Sequence, residues 1–245
     1  MWLYAIISTL IVSAISLVGI FTLSLKAEKL ERFLFVLVSF SAGTLLGDAF
    51  LHLIPEIAET CSFDLLVSFG ILAGIGVMLF LEKVIHWHHC HSPSKHKSHA
   101  FAKMNLIGDA LHNFLDGLVI GAAYTVSIPI GIATTIAVIL HEIPQEIGDF
   151  GVLLQGGYKK GQALLLNFFI GLFALLGTVL ALSLSKWSED ASHALVPFAA
   201  GTFIYIALAD LFPEIHKETK LGKSLLQLIA FVFGIGVMAL LLLNE

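Results

Sequence analysis

Charged residues and cysteines are both scarce in this sequence. Only 13% of its 245 residues are charged and 58% are hydrophobic, whereas an ordinary soluble domain has about 25% charged residues. The hydrophobic residues come in long blocks, which excludes a soluble globular protein and indicates an integral membrane protein. The formal net charge of -5 says little about partners, and we expect no nucleic-acid partner. Cys61 and Cys90 fall in loops on opposite sides of the predicted membrane, so they cannot form a disulfide.

The hydrophobic blocks predict eight transmembrane helices. A span needs about 20 residues at a rise of about 1.5 Å per residue. The predicted helices cover residues 2–25, 33–56, 63–86, 102–125, 129–155, 160–185, 191–214 and 222–243. We therefore expect an all-α integral membrane fold, with residues 1–245 forming a single domain.

Basic residues collect on one side of the predicted bundle. Short cytoplasmic loops are rich in lysine and arginine, and twelve of the thirteen lie on the side that the chain reaches after an odd number of spans. The twelve are Lys26, Lys29, Arg32, Lys83, Lys95, Lys97, Lys103, Lys159, Lys160, Lys217, Lys220 and Lys223, and Lys186 lies opposite. This distribution predicts that both termini are extracytoplasmic and that the loop around residues 86–101 is cytoplasmic.

Part of the sequence occurs twice. Phe40–Thr44 and the following Pro-Glu-Ile resemble Phe198–Thr202 and its Pro-Glu-Ile at an offset of 158 residues. Gly74–Met78 recurs as Gly234–Met238 at an offset of 160. The second and third predicted helices thus correspond to the seventh and eighth. Because five spans separate the copies, they cross the membrane in opposite directions, as do the inverted repeats of secondary transporters.

Two polar blocks interrupt the fourth and fifth predicted helices. They read DALHNFLDG from residue 109 and HEIPQEIGD from residue 141. Their seven ionisable groups are Asp109, His112, Asp116, His141, Glu142, Glu146 and Asp149. One charged side chain near the bilayer centre costs about 2.5–3.5 kcal/mol, so these blocks need a compensating partner. A divalent cation fits, because imidazole and carboxylate together suit zinc and its first-row neighbours.

Helical spacing brings these groups onto shared faces. The aligned sets are Asp109, His112 and Asp116 on the fourth helix, and His141 with Gln145 and Glu142 with Glu146 on the fifth. Asn113 lies beside the first set and could add a neutral oxygen. Gly117 and Gly121 form a small-residue surface that favours close helix packing. Pro144 predicts a kink, because its ring displaces the carbonyl of Leu140.

The two blocks resemble the paired signatures of the ZIP (Zrt/Irt-like protein) metal transporters. The resemblance covers essentially the whole chain, and the fifth-helix block is closest to the subfamily pattern His-Glu-x-Pro-His-Glu-x-Gly-Asp. It implies eight helices in a 3+2+3 arrangement, with inverted repeats (helices 1–3 and 6–8) around helices 4–5. It also implies import of zinc or a related divalent metal into the cytoplasm, by alternating access at a site on helices 4 and 5.

The resemblance assigns metal ligands residue by residue. The primary site matches His112, Asp116, His141 and Gln145 with Glu142 close by, and an adjacent second site matches Asn113 and Glu142. Gln145 stands where the subfamily has histidine, so one ligand is neutral, and zinc, iron, cadmium, manganese and cobalt all stay open. The sixth predicted helix contains Asn167 but no acidic residue. We therefore expect one tightly bound metal, as cargo, and no other cofactor.

Further polar residues within the spans are candidates for additional metal binding or for the ion path. They are Asp109, Glu146 and Asp149 in the polar blocks, and Asp48, His52, Glu56, Asp210 and Glu214 in the two repeat copies. The last two correspond to His52 and Glu56 in the repeat. An alternative for each Pro-Glu pair is a carboxylate that simply reaches water near a helix end.

Two other classes of function stay open at this stage. The pattern His141-Glu142-x-x-Gln145 is similar to the zinc-protease pattern His-Glu-x-x-His, but it lacks the second histidine that a membrane metalloenzyme would need. A metal sensor without transport is also compatible with the sequence, although an inverted repeat favours transport. The compact chain favours a prokaryotic plasma membrane. A second copy of the chain, in a homodimer, is a candidate partner besides the bilayer and the metal.

The predicted cytoplasmic loop, residues 87–101, is rich in metal-binding side chains. With its flanks it contains His86, His88, His89, Cys90, His91, His96 and His99. Histidine-rich tracts bind metal by composition, and the cytoplasmic position indicates capture or sensing of imported ions. The alternative is a flexible linker whose histidines are incidental.

Replacing residues 88–99 with a glycine-serine segment of equal length tests this loop. If the loop captures or senses imported metal, the replacement changes the uptake rate or relieves inhibition by internal metal. Both quantities can be measured in proteoliposomes preloaded with increasing metal. An unchanged rate together with unchanged inhibition would show that the histidines are incidental.

Overall fold

The computed structural model describes residues 1–22, 27–60, 64–89, 97–187 and 189–244, and in these ranges the protein consists of helices joined by short turns. No β-strand occurs in these ranges. The main helices are α1 (Trp2–Ile15), α2 (Ala27–Asp48, Ala49–Leu53 and Ile54–Thr60), α3 (Leu65–His89), α4 (Lys97–Val126), α5 (Ile128–Gln155), α6 (Lys160–Gly171 and Phe173–Trp187), α7 (Glu189–Tyr205, Ile206–Leu211 and Phe212–Ile215) and α8 (Leu221–Leu241).

Within the described ranges, seven helices, α2 to α8, are long and apolar enough to cross a bilayer. The first predicted span is interrupted, because α1 has 14 residues and ends at Ile15, and a short helix follows over Gly19–Thr22. The amide of Ser16 donates to the carbonyl of Ser13 at 3.3 Å, a three-residue bond that tightens the last helical turn. The Ser16 hydroxyl donates to Glu146 of α5 at 2.5 Å. Seven of the eight predicted spans thus correspond to helices that are long and apolar enough to cross a bilayer, and the 3+2+3 arrangement of eight stays a prediction.

The spanning helices divide into an inner and an outer set. In their most apolar windows, 61% of residues are buried in α4, 56% in α2 and α7, and 50% in α5. The corresponding values are 33% in α6, 22% in α8 and 17% in α3. The two helices that carry the polar blocks are therefore enclosed by protein, while the outer helices present apolar side chains to lipid.

The sequence repeat builds two similar helix pairs, α2 against α8 and α3 against α7. Each pair crosses at two glycines, Gly43 with Gly234 and Gly74 with Gly201. A Cβ on any of the four would meet a backbone carbonyl oxygen of the paired helix. Gly43 corresponds to Gly201 in the repeat and Gly74 to Gly234, so both crossings use the same close approach. Small residues allow such backbone contact between membrane helices.

Each repeat copy also contains a π turn at the corresponding position, Ala49–Leu53 in α2 and Ile206–Leu211 in α7. The amide after each turn bonds to the carbonyl five residues earlier, Ile54 to Ala49 and Phe212 to Ala207. A proline follows directly in both copies, and proline cannot donate to the carbonyl four residues before it. The wider turn accommodates that proline without ending the helix.

Helix α4 packs closely against the second part of α6. A Cβ on Gly117 would meet the carbonyl oxygen of Ala174, and one on Gly121 would lie 2.7 Å from the Ala181 Cβ. The Thr178 hydroxyl donates to the Gly117 carbonyl at 3.0 Å. The close packing predicted for Gly117 and Gly121 is confirmed.

Alanine substitutions at matched glycines test the two helix crossings. In Gly234→Ala and Gly74→Ala the new methyl group must separate two backbones, and overpacking of this kind costs about 1–3 kcal/mol. Gly236→Ala and Gly76→Ala are controls, because a Cβ at either position meets nothing within 4 Å. Thermal unfolding of detergent-purified protein should show a lower midpoint for the first two variants only. Equal midpoints for crossing and control variants would contradict this packing.

Candidate metal centre

Four side chains from α4 and α5 converge in the middle of the inner set: His112, Asp116, His141 and Glu142. The His112 Nε2 atom lies 3.4 Å from His141 Nε2, 3.4 Å from Glu142 Oε1 and 3.7 Å from Asp116 Oδ2. The His141 Nε2 atom lies 3.1 Å from Asp116 Oδ2 and 3.6 Å from Glu142 Oε1. The helical spacing of four on α4 and the adjacent pair on α5 thus bring two nitrogens and two oxygens together.

These separations suit a tetrahedral metal ion. Zinc binds nitrogen and oxygen at about 2.0–2.1 Å, so ligand atoms around it lie about 3.3–3.4 Å apart. The five measured separations run from 3.1 to 3.7 Å. All four ligand atoms lie within 4.8 Å of one another. The four side chains can therefore hold a divalent ion without large rearrangement.

The hydrogen bond of His141 favours metal binding by its other nitrogen. Its Nδ1 lies 3.1 Å from the Ala137 carbonyl oxygen and can only donate there, which assigns the proton to Nδ1. The lone pair of Nε2 then faces the Asp116 carboxylate at 3.1 Å. Two electron-rich atoms at this separation repel each other unless a cation or a proton lies between them.

The centre is closed on most sides and open at His112. Asp116, His141 and Glu142 have side-chain exposures of 3%, 1% and 1%, whereas His112 is 12% exposed. His112 also lines a cavity of about 200 Å³. An ion would therefore reach the centre past the His112 ring.

A hydrogen bond from α2 satisfies the backbone carbonyl that Pro144 leaves without a helical donor. Proline has no amide hydrogen, so the carbonyl of Leu140 loses its usual helical donor. The Ser41 hydroxyl donates to that carbonyl at 2.6 Å. The turn that carries His141 and Glu142 is thereby anchored to α2.

A second cluster of titratable groups lies next to the centre. Asp109, Glu146 and Asp149 place carboxylate oxygens within 4.8 Å of one another. Asn113 Nδ2 donates to Asp109 Oδ1 at 2.8 Å, and Asn105 Nδ2 donates to Asp149 Oδ1 at 2.7 Å. We call these three carboxylates the acidic triad.

Glu146 of the triad receives two donors from distant helices. The Ser16 hydroxyl, after α1, donates to one carboxylate oxygen at 2.5 Å. The Asn167 amide, in α6, donates to the other at 2.9 Å. The triad thus takes its neutral donors from α4, α6 and the turn after α1.

The seven ionisable groups therefore separate into two clusters. Two further predicted ligands, Asn113 and Gln145, lie toward the triad. Asn113 donates to Asp109, and Gln145 lines the same cavity as Asp109. Gln145 lines the cavity together with His112, so it lies between the two clusters.

The cavity beside the centre extends toward one end of the bundle. Its lining includes Glu82 near the end of α3, Asn105 near the start of α4 and Asp149 near the end of α5. These helix ends adjoin the loop predicted to be cytoplasmic. The Tyr205 hydroxyl, which lines the same cavity, donates to the Glu82 carboxylate and joins α7 to α3.

The other predicted path residues take different positions. Asp210 lines the cavity. Asp48 and His52 are buried, where Asp48 accepts from Thr134 of α5 at 2.9 Å and His52 lies 3.0 Å from the Met238 carbonyl oxygen of α8. Glu214 is exposed and pairs with Lys217, and Glu56 is partly buried. Of these five, only Asp210 is among the residues that line the described cavity.

The loop residues Cys90, His91 and His96 lie outside the described residues. His86, His88 and His89 continue α3, and His99 lies in the first turn of α4. Metal binding by the loop stays a prediction.

The sequence is similar to known proteins over its whole length. A family profile described as ZIP Zinc transporter matches residues 1–103 and 86–242. Zinc transporter ZIP13 of Pongo abelii is 34% identical over 98% of this chain and 78% of that protein. Zinc transporter zipt-7.1 of Caenorhabditis briggsae is 32% identical over 87% of this chain and 72% of that protein. Zinc transporter zipt-7.2 of Caenorhabditis elegans is 32% identical, with coverages of 100% and 66%.

Loss of one ligand tests the centre. His141→Ala should weaken zinc binding on the order of 100-fold, because even residues that merely orient a metal ligand contribute about 10–100-fold. The control is His216→Ala, which removes an exposed histidine after α7. Competition with a fluorescent zinc chelator gives both dissociation constants. Native affinity in His141→Ala would show that the four side chains do not form a metal site.

Proposed function

This chain belongs to the ZIP zinc transporter family, and from that membership we propose that it carries zinc or a related divalent transition metal into the cytoplasm through the centre on α4 and α5. The family's members are named as transporters, so the chain is a membrane metal transporter and not an enzyme. Its prokaryotic plasma-membrane location stays a prediction, since the three relatives described above are animal proteins.

The observation that carries the proposal is the convergence of His112, Asp116, His141 and Glu142 within spanning helices. Two imidazoles and two carboxylates form the borderline ligand set that zinc and its first-row neighbours accept. Calcium and magnesium sites would use oxygen alone. Iron(II), cadmium, manganese and cobalt can compete for such a centre, because affinity within this series depends on ligand type and geometry.

The position of the cavity supports release toward the cytoplasm. The cavity adjoins His112 and extends toward the end of the bundle where α3 ends and α4 begins, which is the end with the basic loops. In an importer, a conformation open at this end would be the one that releases the ion. The opposite conformation would expose the centre to the other side of the membrane.

The helix packing supports a mechanism of alternating access in which one group of helices moves and another stays in place. Helices α4, α5 and α6 pack with α1 around the centre, while α2 with α8 and α3 with α7 form the two repeat-related pairs. We propose that the first group moves with the metal relative to the second. Movement of one helix bundle against another is how transporters with inverted repeats expose a site to each side of the membrane in turn.

Metal influx into proteoliposomes tests the function. Zinc, iron(II), cadmium and manganese are offered in parallel to the native protein, to His112→Ala/His141→Ala and to the control His216→Ala. We expect influx in the native and control proteins and its loss in the double variant, since that variant keeps only carboxylates at the centre. A cytoplasmic zinc indicator in expressing cells reports direction, and its signal should rise.

Three outcomes would contradict the proposal. Equal influx in the double variant would mean that metal crosses by a route without this centre. Absence of influx for every metal, in folded native protein, would favour a metal sensor. A falling cytoplasmic signal would indicate export.

A further inference from the structure

We propose that the acidic triad, Asp109, Glu146 and Asp149, is a second divalent-cation site that the metal occupies between the centre and the cytoplasmic mouth. Its place on the route rests on the proposed transport function, but its ability to bind a cation does not. It differs from the centre in that all of its charged ligands are oxygens.

The triad lies beside the cavity through which an ion could leave the centre. Asp109 precedes His112 by one helical turn, and Glu146 follows Glu142 by one turn, so each helix contributes to both clusters. Asp109 and Asp149 line the cavity together with His112. An ion that leaves the centre through this cavity therefore passes the triad.

Among the described residues, no cationic side chain forms an ion pair with the carboxylates of the triad. Among the described residues, its hydrogen-bond donors are neutral: the amides of Asn105, Asn113 and Asn167 and the hydroxyl of Ser16. These donors orient the carboxylates but supply no positive charge. Buried charges in proteins are normally paired or coordinate a metal, which points to a cation as the missing partner.

An unpartnered oxygen within the triad independently points to a ligand. Asp109 is 5% exposed, and its Oδ2 meets no donor among the described residues within hydrogen-bonding geometry. Its ligand oxygen lies within 4.8 Å of those of Glu146 and Asp149. The Oδ1 atoms of Asn113 and Asn167, both buried, also lack a donor in the described part of the chain. A cation would use the Asp109 oxygen that the protein leaves free.

The ligand chemistry selects a hard or partly hydrated cation. Carboxylate and water oxygens suit manganese and magnesium, whereas imidazole suits zinc and iron. A zinc ion that moves from the centre to the triad would exchange two imidazoles for carboxylate and water. Such an exchange gives a weaker site, which favours onward release.

Manganese binding tests the triad without transport. Detergent-purified full-length protein is titrated with Mn²⁺, and electron paramagnetic resonance measures the loss of the free-ion signal. We expect Asp109→Asn/Asp149→Asn, and Asp149→Asn alone, to raise the Kd by about tenfold or more. His112→Ala/His141→Ala should retain Mn²⁺ binding, and Glu59→Gln, which removes an exposed carboxylate, should match the native protein.

Zinc binding in the same samples separates this test from that of the proposed function. The triad variants should still bind zinc at the centre, which also shows that they are folded. Native Mn²⁺ affinity in the triad variants, no Mn²⁺ binding by the native protein, or loss of Mn²⁺ binding only in the histidine variant would each overturn the triad proposal. Zinc influx that survives the histidine variant would instead overturn the proposed transport route.

Discussion

The cost of placing charge in a hydrocarbon layer is the constraint on which the rest of this structure depends. Seven ionisable groups on two helices cannot face lipid, and they cannot be left without partners inside the protein. The fold responds by enclosing α4 and α5, whose apolar windows are 61% and 50% buried, behind helices that face lipid with apolar side chains. Inside, the groups separate into a histidine-carboxylate centre and an all-carboxylate triad. Each cluster keeps electron-rich atoms close together, and such an arrangement is stable only with cations or protons between them.

Enclosure requires close helix packing, and glycine provides it. The pairs α2 with α8 and α3 with α7 approach to backbone contact at Gly43, Gly74, Gly201 and Gly234, and α4 meets α6 in the same way at Gly117. Close approach also brings donors to the polar groups. Ser41 reaches the Leu140 carbonyl that Pro144 leaves open, and Thr134 reaches Asp48. Small residues therefore have two effects: they let the helices pack closely, and they bring hydrogen-bond donors within reach of buried polar groups.

Sequence reasoning succeeds here where a property is local and fails where it joins distant helices. Hydrophobic length predicted eight spans, of which seven are long apolar helices among the described residues, and the spacing of Gly117 and Gly121 predicted close packing. Spacing also predicted which residues share a helical face, but it could not separate Glu142 from Glu146, which belong to different clusters. That separation depends on donors 130 and 21 residues away from Glu146, namely Ser16 and Asn167. No periodic pattern marks such donors, because each is a single polar residue in an apolar segment.

The two copies of the repeat share a backbone but differ in side chains, and this difference makes the two ends of the bundle unequal. Both copies have a π turn before a proline, so the backbone device is the same in α2 and α7. The side chains at the corresponding positions differ: His52 is buried against the Met238 carbonyl, whereas Asp210 faces the cavity beside His112. A structure with equal halves would open or close both ends together. Different contacts at equivalent positions let one end open while the other is packed, and under the proposed mechanism this asymmetry would reverse when the centre faces the opposite side. The π turns are suited to a change in which end is open. In a π turn the amide bonds to the carbonyl five residues earlier, and a shift of this hydrogen bond by one residue would restore the α-helical pattern.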